Sequence, residues 1–570
     1  MSLKTDIDQL AADAAIMHAI VQGPPALVST AGGNIKSLAL AVGDLETSAT
    51  ASAAAAAASA SAASNSAASA NTSAGTATTK ANEAAASATA AANVAGAGMW
   101  ASGSYTAGNT AWSPLNFITY RCINTGSRTI DPSLDPTNWA SVAITPAGVD
   151  IKIESFYSRI NDIGKAGHPG FAVGICPALP AGFTVLPGTN FPSSDQYGNY
   201  QFSDGSIMVW VPAYYYKYGT GANGLAVNVV SVKAEWEYAT VAAANADGYA
   251  LHRAFYDNGA VQRGVFVDKY KCSNNAGTAS SIKLGIPLSS SAANAPFSGL
   301  TGAPANSYYG AIAAAKTRGA NFFSSSLFIR AALALLSLAH AQASTSTTYC
   351  AWYSSGSTNF PKGCNNNALG DAQDGALTFT GTGYLTTNKT GSANVLAKTT
   401  HNGQNCGVAD VNGTIWEICL GITSDAANIY ILKPASQMKA ITAGNTLATD
   451  AWGATGIAAL YDNLGTTFGA LWATGVNRTT AFGAATQVFD AAINGNAWNA
   501  TGAGVPLAGG VGGTNAFGND GLWDYKPNEM CPISGGGWDA SSSAGAWALY
   551  LGYGRGTSYN YVGFRAALYL

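Results

Sequence analysis

The stretch that decides the fold is GGGWDASSSAGAWALYLGYGRGTSYNYVGFRAALYL, residues 535–570. It contains two kinds of residue. Gly554 to Tyr561 are Gly, Arg, Thr, Ser, Tyr and Asn, which suit loops and contact surfaces. From Val562 onward the chain is apolar apart from Arg565 and reads as a buried strand. A segment that could display side chains is therefore attached directly to a strand that must be covered. This places the stretch on a folded scaffold rather than in a tail.

A second informative stretch lies upstream, HNGQNCGVADVNGTIWEICLGIT (401–423). Gly413 allows a tight turn and Trp416 offers a large core anchor. Gly563, Phe564 and Arg565 close the last strand, and Glu417 and Arg565 suit one another as partners in a structural ion pair. The pattern Asp410-x-Asn412-Gly413-x-x-Trp416-Glu417 resembles the G-x-x-D-x-x-G-N-V-W-E-W signature of the formylglycine-generating-enzyme family. The ending resembles that family's RGGSW…R…GFR, and GSIMVWVPAYYYKYG (205–219) and GVFVDKYKCS (264–273) resemble its core strands. The resemblance covers roughly residues 168–570 and implies a C-type lectin fold of α+β class. The enzymes of that family carry paired redox cysteines just before GFR, and Trp538 to Tyr561 contain none. The resemblance therefore implies the scaffold without the oxidase chemistry.

The ending is also similar, in step and without a gap, to proteins diversified by diversity-generating retroelements. Their variable region reads W-N-N-G-S-N-A-G-x-W-A-L-N-L-N-N-A-R-S-N-S-N-N-N-I-G-F-R. Mismatches fall mainly where that pattern has Asn, the residue whose codons adenine mutagenesis changes. This resemblance implies a receptor-binding set of Asp539, Ala540, Ser542, Ser543, Tyr550, Gly552, Tyr553, Thr557, Tyr559, Asn560 and Tyr561, within a variable region of about 538–565. It implies a scaffold set of Asp410, Gly413, Trp416, Glu417, Trp538, Gly563, Phe564 and Arg565.

Composition narrows the function classes. There are 27 Lys+Arg against 30 Asp+Glu, a net charge of −3, so no phosphate-binding field exists and nucleic acid is not an expected partner. Many Tyr, Gly, Ser and Asn with few charges suit a recognition surface. The N-terminus MSLKTDIDQL has no apolar signal core, and RAALALLSLAHA (330–341) is too short to span a bilayer, so no membrane insertion is expected. The five His fall in no metal pattern. The eight Cys contain no C-x-x-C, and no nucleophile elbow or P-loop occurs. We expect no catalytic residue, no metal and no cofactor. The cysteines read as buried free thiols, with a Cys350–Cys364 disulfide left open.

Toward the N-terminus, Leu3, Ile7, Leu10, Ala14, Met17 and Val21 are spaced 4, 3, 4, 3, 4, an a/d seam. After Gly23-Pro24-Pro25 and STAGGN, Ile35, Leu38, Val42 and Leu45 are spaced as if the seam resumes. Residues 46–98 are almost wholly Ala, Ser, Thr, Asn and Gly. No large side chain is there to bury, so a lone copy would fray, whereas identical chains can approach closely in a thin rod. Residues 98–142 carry Trp100, Tyr105, Phe117, Tyr120 and Trp139 between turn signals. They resemble the small chitin-binding-type β modules, whose aromatics either form a mini-core or stack on sugars.

Together these segments resemble a bacteriophage tail fibre, and VSTAGGNIKSLALAV (28–42) resembles the N-terminal segment of such fibres. The expected organisation is a helical virion-attachment segment (1–46), an Ala/Ser-rich trimeric stalk (47–98), a small aromatic β module (99–145), a linker (146–167) and a C-type-lectin-like receptor-binding domain (168–570). Helices are expected near 306–317 and 325–343. The expected function is that of a homotrimeric virion adhesin with two kinds of partner, a host-cell surface receptor, protein or glycan, and other tail or baseplate proteins. A glycan-cleaving fibre enzyme and a bacterial surface-displayed variable lectin are the alternatives. The first needs a convergent carboxylate pair, the second a secretion signal.

Overall fold

A computed structural model of the chain describes residues 3–95, 98–115, 118–142, 160–300, 307–354, 361–363, 368–384, 387–441, 460–466, 475–482, 487–507 and 517–570. The architecture is mixed α and β, divided into units 1–149 and 150–570.

In the first unit, α1 (Leu3–Val21) is followed by a hairpin of β1 (Leu27–Thr30) and β2 (Gly33–Lys36), then by α2 (Leu38–Ala95). The a/d seam of α1 lies in water, with Leu10 72% and Met17 63% exposed. The continuous helical spacing expected from Ile35 to Leu45 is not what forms. Ala31-Gly32 make a two-residue turn that pairs Thr30 with Gly33, and Gly33 takes a φ of +111°, so Ile35 lies in β2. Ser37 then starts the helix, its buried hydroxyl accepting from Leu40 N (3.3 Å) and donating to Pro24 O (2.9 Å).

Helix α2 has 58 residues, which gives a rod of about 87 Å at 1.5 Å per residue. Its hydroxyls turn inward, and Thr50, Ser59, Ser66 and Thr72 among others donate to the carbonyl four residues earlier. This satisfies those hydroxyls within the helix without adding to its stability. The aromatic module follows as a four-stranded sheet and a separate two-stranded antiparallel sheet. Its core is Ala111, Cys122 and Trp139, with Trp100, Tyr105 and Tyr120 packed against them. Tyr105 meets Trp139 edge-on at 4.8 Å. Phe117 lies outside the described residues.

The second unit is organised by two six-stranded sheets. In chain order their strands are β3 (Phe183–Val185), β4 (Asn199–Phe202), β5 (Ile207–Pro212), β6 (Gly264–Asp268), β7 (Phe323–Ser324), β8 (Trp416–Ile418), β9 (Val476–Thr479), β10 (Gly521–Asp524), β11 (Ile533–Ser534), β12 (Leu549–Tyr550), β13 (Val562–Gly563) and β14 (Ala566–Leu568). The first sheet is antiparallel, ordered β7-β14-β6-β5-β4-β3, and the second is mixed, ordered β9-β10-β12-β11-β8-β13. Strands β5 and β6, IMVWVP and GVFVD, are almost continuously apolar because the chain covers both their faces. Helices α3 (Ser307–Lys316) and α4 (Leu327–Ala343) form where the sequence predicts them. Leu327 to His340 are all buried, and Ser326 caps α4 by accepting from Ile329 N at 3.2 Å.

The expected linker, 146–167, is shorter than its assigned range at its C-terminal end. Ile163 is fully buried and Asn161 Oδ1 accepts from Trp210 Nε1 at 3.0 Å, so the packing of the second unit has begun by residue 161. The sequence signal there is weak because one polar residue, Asn161, satisfies a buried tryptophan. Residues 143–159 lie outside the described residues, as does Cys364 and with it the Cys350–Cys364 question. The described cysteines are buried free thiols, and burial pushes those of Cys350 and Cys419 up to about 12.

Candidate functional site

The outer face of the second sheet carries the site. Along β12 and its flanks Leu549 and Leu551 are buried, while Tyr550 between them is half-exposed, as strand alternation requires. Neighbouring β10 behaves alike, with Leu522 and Asp524 buried and Trp523 half-exposed. The register sets Tyr550 opposite Trp523, and the rings stack with centroids 5.8 Å apart and planes 9° apart. Trp416 of β8 approaches Tyr550 at 6.1 Å.

The loop between β12 and β13 extends this platform. Tyr553 lies 4.8 Å from Tyr550, Tyr559 stacks on Tyr553 at 4.9 Å, Tyr561 stacks on Tyr559 at 4.9 Å, and Trp538 meets Tyr561 edge-on at 5.8 Å. Tyr553 and Tyr561 share a hydroxyl hydrogen bond of 2.8 Å. Burial first, and then that hydrogen bond, pushes the Tyr553 hydroxyl well above the usual phenol range, so it stays neutral. Ser290 fastens the loop. Its Oγ donates to Tyr559 O (2.9 Å) and accepts from Tyr559 N (2.8 Å), its N donates to Val562 O (2.9 Å), and its O accepts from Ser558 Oγ (2.5 Å).

Beneath the platform lies a buried network of charges. Arg565 grips Glu417 with two hydrogen bonds, Nε to Oε2 and Nη2 to Oε1, both 2.6 Å. Its remaining donors reach Asp268 O and Ala409 O, each at 2.8 Å. Lys271 Nζ lies 3.4 Å from Glu417 and donates to Asp410 O (2.6 Å), Gly413 O (2.7 Å) and Thr414 Oγ1 (2.9 Å). Burial raises the Glu417 carboxyl, but Arg565 and Lys271 outweigh it and hold the group below its ordinary value. Asp410 Oδ2 accepts from Gly391 N at 2.7 Å. Gly413 has a φ of +150°, and a Cβ there would stand 2.2 Å from Lys362 O. Gly563 is similarly confined, its notional Cβ 2.4 Å from Ile415. Phe564 is fully buried against Phe297 at 5.4 Å, and Trp538 is 4% exposed among Leu377, Phe379, Ala393 and Ile415.

Three sequence readings change. Trp416 is half-exposed and belongs to the platform, because the buried anchors of its strand are the neighbouring Ile415 and Ile418. Tyr550, Tyr553 and Tyr561 are half-buried and bear on one another, and Tyr559, stacked between Tyr553 and Tyr561, is the most exposed of the four at 37%. Gly552 is limited by the rings beside it. A Cβ there would meet Trp523 Nε1 at 2.5 Å and Tyr550 Cε1 at 2.7 Å, so any larger residue must displace the stack. Asp539, before the 3-10 turn Ser541–Ser543, and Ser542 and Ser543 on it are exposed, while Ala540, Thr557 and Asn560 are half-buried.

Trp523 and Ser290 are parts of the site that sequence reasoning missed. The alternation Gly521-Leu522-Trp523-Asp524 carried the first signal, whereas Ser290, 269 positions from Tyr559, left none.

No family model matches the chain, and no curated protein matches it. Among solved structures, it is similar to the Major Tropism Determinant U1 variant (13% identity, TM-score 0.22, covering 82% of this chain and 95% of that one). It is also similar to the M1 variant (12%, 0.24, 82% and 96%) and the P3c variant (12%, 0.20, 82% and 95%). A likeness this low leaves function to be argued from the site itself.

Proposed function

We propose that the chain is a receptor-binding adhesin of a phage tail fibre. In this reading it grips a host-cell surface receptor through the aromatic platform of Trp416, Trp523, Tyr550, Tyr553, Tyr559 and Tyr561 with the adjoining turn Asp539–Ser543. The observation that carries the reading is a row of stacked, partly exposed rings set on a buried, charge-paired scaffold. Tyrosine and tryptophan supply large contact area at low entropic cost, and a rigid base keeps that cost low on binding. The resemblance of 538–565 to retroelement-diversified endings supports a variable surface on a C-type lectin scaffold. The exposed seams of α1 and α2 support a homotrimer, since apolar stripes of this kind are normally covered by copies of themselves. Three heads on one stalk would raise avidity by roughly 10²–10⁴ over a single contact.

The test is adsorption to host cells by the full-length protein and by Tyr559→Ala and Tyr550→Ala variants, each normalised to its folded fraction. Reduced adsorption with an unchanged melting temperature supports the reading. Unchanged adsorption by both variants refutes it.

A further inference from the structure

A second feature of the head lies in its interior. Arg330, on the first turns of α4, is 9% exposed, and its Nη2 donates to Ala546 O (2.6 Å) and Ala548 O (2.8 Å), the backbone leading into β12. Its Nε and Nη1 meet no acceptor among the described residues. The guanidinium borders a buried cavity of about 20 Å³ shared with Ser325, Ser337, His401, Glu417, Ser534 and Arg565. That is room for a single occupant the size of a water molecule or a halide.

Among the described residues Arg330 is the cavity-lining cation that lacks a carboxylate partner. Glu417 is held by Arg565 and Lys271, and Asp520 is held by Lys362 at 2.5 Å. Asp410 is the second carboxylate of this cluster, and burial raises its pKa, which favours its neutral form. Of the two cations that line the cavity, Arg565 is thus paired with Glu417, while Arg330 is paired with no carboxylate among the described residues. An uncompensated buried charge is among the costliest arrangements in a protein interior.

The other polar groups are already engaged. Ser337 Oγ donates to His401 O (2.5 Å), and both His401 ring nitrogens face backbone groups, Val408 N at 3.0 Å and Ala172 O at 3.2 Å. Ser534 lines the cavity and its Oγ stands 3.1 Å from Cys419 Sγ, either atom being the donor.

We propose that this cavity is a binding site for a small monovalent inorganic anion of chloride size, held by Arg330 with the Ser534 hydroxyl. The anion supplies the missing negative charge and ties α4 to the underside of the sheet that carries the aromatic platform. Sulfate and phosphate are too large for it.

The experiment is a thermal melt of the full-length protein as chloride replaces gluconate at constant ionic strength. The wild type should gain several degrees in a saturable manner, following linkage to a ligand bound only by the folded state, and Arg330→Met should show no chloride response. Ser534→Ala, which removes one weak donor, should keep the response but need a higher chloride concentration for its midpoint. Should Arg330→Met not fold, a bromide-soaked crystal decides, with an anomalous peak beside Arg330 expected. A wild-type melt indifferent to chloride, or a bromide-free cavity holding only water, overturns the proposal.

Discussion

The N-terminal helices and the C-terminal head solve opposite problems. In α1 and α2 apolar side chains stand in water, Leu10 and Leu45 each 72% exposed. In the head, charged side chains stand out of water, Arg565, Lys271 and Asp268 each at most 2% exposed. The first arrangement is incomplete as a single chain, because the apolar stripe has nothing to cover it. The second is largely complete internally, because Glu417, Arg565 and Lys271 are paired within the same chain and Arg330 is left without a carboxylate among the described residues. In the function proposed above, assembly and recognition fall to different parts of the chain.

The comparison fails outright if the seams of α1 and α2 do nothing. Leu10→Asp combined with Met17→Asp should abolish assembly, taking the mass in light scattering from three chains to fewer. The melting of the head should shift by no more than about 0.5 kcal/mol in stability. A trimer that survives both charges would show that the stripe is not the interface.

The next largest effect belongs to the head. Arg565→Met leaves Glu417 buried beside Lys271 alone and should cost about 3–5 kcal/mol, the usual result of removing one partner of a buried pair. Phe564→Ala should cost a similar 3–5 kcal/mol as a cavity in a closed core. Near-ultraviolet circular dichroism should report loss of head packing in both while the helical far-ultraviolet signal of α1 and α2 persists. If Arg565→Met melts with the wild type, the buried network is not what holds the head.

Smaller again is Trp416→Ala. Because Trp416 is half-exposed, its truncation should cost about 1–2 kcal/mol in a denaturant melt, well short of Phe564→Ala. Equal losses at the two positions would return Trp416 to the core. The smallest structural effect is that of Tyr559→Ala, at most about 0.5 kcal/mol of stability, with about 1–2 kcal/mol of receptor affinity lost. Titration against host-cell envelopes measures that loss. Affinity retained in the face of this truncation would move the contact surface away from the ladder.

Much of the head was legible in its sequence because short-range chemistry dictates it. The apolar run closing on Gly563-Phe564-Arg565 can only be a covered strand, and an arginine in such a run needs a buried acid, which Glu417 supplies. Helices α3 and α4 follow from composition and capping within their own segments. The platform was legible only in part. Whether Trp416 points to core or solvent depends on which residue of Ile415-Trp416-Glu417-Ile418 the partner strands cover, a question of register that a strand cannot answer about itself. Ser290 and Trp523 reach the site only through long-range pairing, and Ile35 was misread because a two-residue glycine turn overrides helical spacing.

Strand β14 lies between β7 and β6 in the interior of the first sheet, pairing Ala567 with both Phe323 and Val267. A stop codon or frameshift anywhere in 538–561 therefore deletes a central strand of a sheet whose other members are all encoded earlier. The geometry acts as a reading-frame check. Amino-acid exchanges on the platform leave that strand intact, whereas any mutation that interrupts translation of the platform leaves two strands without their shared neighbour and a head that cannot close.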